Sequence, residues 1–437
     1  MNIRSAALAA SALLPLAVLV PGAQAQHNPS DPEIILPENP YISYRKAREW
    51  EVHQTVYLLV PQEVRLGSLQ EINVNRQNPD ELLPSSLDFV FPIMRQSASA
   101  WSTDDEVHAT ITLNDQPENI SHTIQFTPGS NAPYAVWRLE FNQPTRVIRF
   151  DHRSTMVSVD TVFNEQKATE LGWPAEWPDE PGRFLTPIID SIGSRVDPLS
   201  AVPEPEPDAS IITDLVNEWT GNNDPKSIPP VTLAKFLAAK VIEHFRSNDR
   251  SLTTPEFSAF QKSLTSNTGP GNNYNFSYTG FYAGFAVRDV GESVRSRRGS
   301  RHDMTLLLTA VYRAAGLPAR TVIGVDDERS GEDRARSWTE FALHDPDLDL
   351  TVWVPVDIDE LRSRGASTST YMRPWKFFGT NDELHAIAPV SFYFHPPAAY
   401  QSFQVPGLYG IRSQAELPYF AEQIITFGIN RKPVRGD

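Results

Sequence analysis

The segment RGSRHDMTLLLTAVYRAAGLPAR, residues 298–320, decides how this chain reads. Ser300 stands three places before Asp303 and just ahead of an apolar run, a capping-box-like pair that predicts a helix start. From there Met304, Leu307, Leu308, Val311 and Ala315 recur at helical spacing, which predicts a helix over 301–315 with one buried face. Gly316-Leu317-Pro318 ends it in the usual way. Beyond the stop the period changes. Val322–Val325, Trp338–Leu343 and Thr351–Val356 read as strands. A charged loop from Asp326 to Arg334 joins the first two, and His344-Asp345-Pro346-Asp347 reads as a turn between the second and third. One helix backed by a small sheet is the expected core.

Working outward, residues 231–246 place Leu233, Phe236, Leu237, Val241 and Phe245 on one stripe, an amphipathic helix. The N-terminal half has period two. In Val107–Leu113 the odd positions are apolar; Ile124 and Phe126, Trp137, Leu139 and Phe141, and Val157 and Val159 likewise alternate with polar neighbours. Turns such as Asn114-Asp115-Gln116-Pro117 separate these runs. The predicted class is α+β: an N-terminal antiparallel β-sandwich followed by a helix-plus-antiparallel-sheet core. The expected organisation is a lead-in at 26–45, the sandwich at 46–165, a Pro-rich connector at 166–225, the helical core at 226–360 and a C-terminal extension at 361–437 packed on that core. His53, His108, His122 and His152 are scattered singly along the sandwich and read as solvated or half-buried strand residues without metal-ligand spacing.

Composition narrows the chemistry. The 437 residues include 38 Lys plus Arg, 54 Asp plus Glu and no cysteine, for a formal charge of −16. The charge argues against a nucleic-acid partner. The missing cysteine excludes disulfides, thiolate metal sites and a thiol nucleophile. At the N-terminus, Arg4, the apolar stretch Ala6–Val20 and Ala23-Gln24-Ala25 form the three parts of a secretory signal peptide cut after residue 25. A periplasmic or extracellular protein is expected, with no transmembrane segment once the signal is removed.

The stretch Gly299-Ser300-Arg301, the Gly316-Leu317-Pro318-Ala319-Arg320 that follows the helix, Ser337-Trp338-Thr339-Glu340-Phe341 and Trp353-Val354-Pro355-Val356-Asp357 together resemble the bacterial transglutaminase-like family, whose members share a papain-like fold. The resemblance implies a Cys-His-Asp site: Gly-x-Cys opening the helix, His-Ala-Trp on one strand and Trp-x-x-x-Asp on the next. Carried onto this chain, the cysteine position is Arg301, the histidine position Arg336 and the aspartate position Asp357; Trp338 is retained beside the site. Two of three catalytic positions are therefore arginine, which is neither a nucleophile nor a general base at ordinary pH. Ser300, His302 and His344 are the residues nearest to substitutes. Ser300 reads first as an N-cap. His302 lies two places along the helix and does not face it. His344 reads as a turn residue.

No Gly-x-Ser-x-Gly elbow, His-Glu-x-x-His or phosphate loop occurs, so no cofactor or metal is expected. The expected function is a catalytically inactive member of that family, a binding or scaffolding module. Arg301, Arg336, Asp357 and Trp338 are expected to converge in one cleft, either as an ion cluster or as a site for a small anion; a protein or peptide partner fits equally. The competing reading is an active peptidase or acyl transferase with non-standard residues.

Overall fold

Alternation builds the N-terminal half. The computed structural model describes residues 39–59, 86–103, 107–127, 131–188, 210–245, 290–329, 335–364, 373–394, 410–412 and 422–432. The expected signal peptide and residues 189–209 of the expected Pro-rich connector lie outside them. Eight strands come first: β1 (Ile42–Leu59), β2 (Ser86–Pro92), β3 (Ala100–Ser102), β4 (His108–Leu113), β5 (Gln116–Glu118), β6 (His122–Phe126), β7 (Pro133–Glu140) and β8 (Val147–Phe163). β1 and β8 run antiparallel along most of their length, from Ile42 opposite Phe163 to Leu59 opposite Val147. Their even-numbered side chains turn inward, so Trp50, Val52, Val56, Ile148, Phe150 and Met156 are buried. Against them β2 and β7 bring Phe89 and Phe91, which stack on Phe150 at 5.2 and 4.3 Å between ring centroids, and Trp137, which meets it edge-on at 5.0 Å. Each buried ring removes some ~150–250 Å² of apolar surface from water, which makes this cluster the main stabilising feature of the sandwich.

The helices are α1 (Glu165–Ala168), α2 (Asp179–Gly182), α3 (Ser210–Trp219), α4 (Pro230–His244), α5 (Val290–Ser296), α6 (Arg301–Ala314) and α7 (Ile358–Ser363). β9 (Ala319–Asp326), β10 (Ala335–Asp345), β11 (Leu350–Val356) and β12 (Ile387–Ser391) form an antiparallel sheet in the order β11-β10-β9-β12. α6 packs on this sheet, with α3, α4, α5 and α7 against its other sides. It is buried from His302 to Arg313, far beyond the single face that its apolar residues mark. The extra buried face is hydroxylic. Thr309 Oγ1 lies 3.0 Å from both Thr321 Oγ1 and Thr339 Oγ1, and Thr339 donates to the Thr305 carbonyl at 2.9 Å. Threonine reads as polar in a pattern, yet here every hydroxyl finds a partner across the helix–sheet seam.

The stretch after Asp357, expected as an appendage on the helical core, is strand in three places. β12 joins the helix-backed sheet. β13 (Gly410–Arg412) pairs with β2, and β14 (Glu422–Arg431) pairs with β1 from Trp50–Arg431 to Leu59–Glu422. The physical reason is that β1 and β2 need neighbours on their outer edges. β1 also starts at Ile42, ahead of the expected sandwich boundary. His344 is not in a turn: it is the penultimate residue of β10, opposite Thr351.

The scattered histidines converge. His108 is exposed, while His53 and His122 are half-buried. His152 is buried on the inner face of β8 rather than solvated. Burial first, and then the fields of His53, His108 and His122, push its pKa from 6.5 down to about 4. The unfolded chain therefore binds this proton more readily. The stability that comes with a neutral His152 is complete above the unfolded pKa of 6.5 and is lost as the pH falls toward about 4. In denaturant titrations, acidification from pH 6.5 to 5 is expected to cost the wild type about 1.5 kcal/mol more than it costs a His152→Leu variant. Equal losses in the two proteins would show that His152 does not carry this pH dependence.

Candidate functional site

The helix start is built as its sequence implies. Ser300 Oγ accepts from the Asp303 amide at 3.2 Å, and Asp303 Oδ2 accepts from the Ser300 amide at 2.6 Å, a complete capping box. Gly299 is required by this closure, since a Cβ there would lie 2.6 Å from Asp303 Cβ. Ser300 is thus occupied as a cap. Arg301 opens α6, is half-buried, and its Nε lies 3.5 Å from His302 Nε2. A cation in the first turn sits on the unfavourable end of the helix dipole.

The strand alternation of β10 then separates what the family pattern would bring together. Ser337 turns toward α6, with Oγ 2.8 Å from His302 Nδ1. Arg336, its neighbour, turns to the other face. There its Nη2 meets Asp357 Oδ2 at 2.5 Å and Glu360 Oε1 at 3.4 Å, and its Nη1 meets Asp326 Oδ2 at 3.3 Å and Glu383 Oε2 at 3.6 Å. Arg329 pairs with the same Asp326, Glu360 and Glu383, and Arg364 pairs with Glu360 and Glu383. Three guanidinium groups thus face four carboxylates. No ion pair joins Arg301 to Asp357 among the described residues.

Arg336 is 2% exposed and Asp357 1%. At that depth a lone charge costs several kcal/mol, so the carboxylates are a requirement of the arginine. Burial opposes the charge on Arg336, but Asp357, Glu360 and Asp326 outweigh it and hold the guanidinium more firmly protonated than usual. Burial also raises the Glu360 carboxyl. The hydrogen bond from Arg329 and the charges of Arg336, Arg329 and Arg364 more than reverse that, leaving it below the ordinary range. For Asp326 burial wins over Arg336 and the carboxyl is raised. Asp359 is raised as well, by burial and then by Asp357, with Arg301 pulling the other way. That field is the link between Arg301 and the cluster.

Both oxygens of Asp357 are engaged in structural contacts. Its Oδ2 holds Arg336, and its Oδ1 accepts from the Glu360 amide at 3.2 Å as the N-cap of α7. Trp338 is fully buried and cannot stack on a ligand; its indole N–H donates to Glu340 Oε1 at 3.1 Å. Glu340 also accepts from the Ala98 amide at 2.8 Å and pairs with Arg320 Nε at 2.9 Å. Arg320 in turn covers the Trp353 ring, 4.0 Å from its centroid. Two motif residues that survive, Arg320 and Trp338, therefore serve one buried carboxylate. The uncompensated positive charge that anion binding at Arg336 would need is not found, because carboxylates outnumber the arginines around it.

Of the substitutes, His302 makes a contact with Ser337 that has the appearance of a catalytic dyad. Its polarity is wrong. Ser337 Oγ donates to Thr305 Oγ1 at 3.1 Å, and Thr305 passes its own proton to the Arg301 carbonyl at 3.1 Å. Ser337 therefore accepts from His302 Nδ1–H and gives that imidazole no proton. His344 stands eight residues along β10 from Arg336, about 26 Å away at strand rise, and touches Thr351 Oγ1. No cluster of three or more acidic or histidine side chains suited to a metal occurs among the described residues.

Sequence reasoning found Arg336 and Asp357 but missed Asp326, Arg329, Glu360, Arg364 and Glu383. A local signal existed for some of them: Asp326 and Arg329 lie three apart, and Glu360 and Arg364 four apart. Glu383 had none.

In comparisons with known proteins, the description "transglutaminase-like superfamily" attaches to residues 271–358. No curated protein sequence matches. Among solved structures, a candidate cysteine protease from Cytophaga hutchinsonii aligns over 89% of this chain and 92% of its own at 10% identity, with a TM-score of 0.44. A candidate protease from Parabacteroides distasonis aligns over 69% and 65% at 10% identity, with a TM-score of 0.16. Likenesses this distant say nothing about activity. The helix start, the Gly-Leu-Pro stop and strands β9, β10 and β11 all fall within residues 271–358, the span that is similar to the transglutaminase-like superfamily.

Proposed function

We propose that this chain is an exported, catalytically inactive transglutaminase-like protein that works as a binding or scaffolding module. One observation carries the reading. The position of the family's base is Arg336, and Arg336 is locked to the very aspartate that would have oriented a histidine. The chain has no cysteine to supply the nucleophile, and Arg301 stands in its place. What remains is an ionic scaffold that ties β9, β10 and α7 together. The exported location rests on the signal-like N-terminus, and protein recovered from a cell envelope or culture medium is expected to begin at Gln26. A mature chain that keeps residues 1–25 in the cytoplasm would exclude export.

Inactivity has a direct test. Purified protein is offered glutamine-containing peptides with a primary amine acceptor, and casein as a protease substrate. No turnover is expected from the wild type or from Asp357→Asn. Turnover by the wild type that Asp357→Asn lacks would overturn the proposal.

The scaffold has a separate test. Arg336→Ala leaves Asp326, Asp357 and Glu360 buried with too little positive charge, and a loss of about 3–5 kcal/mol in equilibrium unfolding is expected. Arg301→Ala removes a cation from the wrong end of a helix dipole and is expected to change stability by less than about 1 kcal/mol. Near-wild-type stability of Arg336→Ala would show that the cluster does not hold the fold.

A further inference from the structure

The charge balance reverses at the start of α6. Around Arg336 carboxylates outnumber arginines, but Arg295, Arg297, Arg298 and Arg301 fall within seven residues of sequence that contain no acidic side chain. Arg295 and Arg298 are exposed, and Arg297 and Arg301 are half-buried. Contacts bring further elements to the same place. Arg297 Nε donates to the His244 carbonyl at 3.2 Å, and Arg362 Nη2 donates to the neighbouring Phe245 carbonyl at 3.4 Å. Arg362 Nη1 also reaches Met304 Sδ at 3.1 Å, one turn into α6. The end of α4, the link between α5 and α6 and the helix α7 thus converge on one patch.

Few carboxylates face these arginines. Asp303 is engaged in the capping box. The field of Asp359 reaches Arg301 and Arg362. No ion pair joins Arg295, Arg297 or Arg298 to a carboxylate among the described residues, although Glu292 lies one turn before Arg295 on α5. Arg297 has a structural use, since it satisfies a carbonyl at the end of α4. The guanidinium groups of Arg295 and Arg298 make no hydrogen bond among the described residues. On a chain with a formal charge of −16, two exposed cations without a counter-charge stand out from the rest of the surface.

We propose that this patch is a docking surface for a short acidic segment of a partner protein, with Arg295 and Arg298 as its anchors. Each guanidinium presents a planar fork that matches a carboxylate. Arg295 lies in the last turn of α5 and Arg298 in the link to α6, so the forks come from two elements. That suits carboxylates spaced along a chain better than one small anion. A long polyanion would continue over the rest of a net negative chain and be repelled there, whereas a short acidic segment meets the patch alone. The proposal rests on the reading of the chain as a binding module and names the class of partner. Turnover would overturn inactivity and absent binding would overturn the docking surface, so the two failures are distinct.

The test uses the full-length protein and a fluorescein-labelled hexapeptide of alternating Glu and Asp, titrated by fluorescence anisotropy. The matching Gln and Asn peptide and a heparin-derived tetrasaccharide are the comparisons. The acidic peptide is expected to bind and the neutral one not, and raising NaCl from about 50 to about 500 mM should weaken binding about tenfold. Arg295→Gln and Arg298→Gln should each weaken it about twofold to fivefold, and the double variant about tenfold. Both positions are exposed, so the variants should unfold close to the wild-type midpoint. Arg153→Gln, at an exposed arginine on β8, should bind as the wild type does. Without any variant, the bound peptide should protect Arg295 and Arg298 from phenylglyoxal, read by peptide mass mapping. Acidic binding no tighter than neutral, equal affinity in wild type and double variant, the same loss in Arg153→Gln, or no protection would each overturn the proposal. So would a tetrasaccharide that binds more tightly than the peptide and loses its affinity in the double variant, which would assign the patch to sulfated glycans.

Discussion

A guanidinium sealed from water beside Asp357 dictates the rest of the altered site. Arginine cannot shed its charge by losing a proton, so a buried one must be surrounded by carboxylates. Asp357 alone would balance it, but Asp357 also caps α7 and lies at the end of β11. The cluster therefore grows outward. Glu360, one turn into the helix, and Asp326, at the end of β9, join it, and each needs Arg329 or Arg364 in turn. The chain of obligations ends where Arg364 is 45% exposed and water takes over. Such a cluster is geometrically strict, and it fixes the ends of two strands and the start of a helix against one another.

The second buried ion pair works differently. Glu340 and Arg320 lie on the same strand face as Arg336, farther along the sheet, and between them accept and donate hydrogen bonds to Ala98, Trp338 and Gln96. Here the partners are backbone groups of the sandwich side. Tyr41 and Asp345 add a further contact across the same seam. The junction between the β-rich half and the helical half therefore includes polar, directional contacts beside the apolar core that the two halves share.

Much of this was legible locally and little of it globally. The capping box at Ser300, the stop at Gly316 and the alternation of β4 and β7 depend on neighbours within a few residues, and the structure has them where pattern placed them. Arg301, Arg336 and Asp357 were found through the motif, but their convergence was not what the motif implied. A one-residue alternation sends Ser337 to the helix and Arg336 away from it. The buried Thr305–Thr309 stripe lies outside the apolar pattern because hydroxyls count as polar until their partners are known. Glu383 and His152 acquire their roles only through groups distant in sequence. Nothing within β13 or β14 names the strand beside which each will lie.

That last point has a consequence for biogenesis. The sandwich lacks the outer neighbours of β1 and β2 until residues 410–412 and 422–431 have left the ribosome, because β14 closes on β1 over a span of almost the whole chain. A nascent chain cannot complete its first half first. Its β1 edge stays open during synthesis, with the slow folding that distant pairings impose.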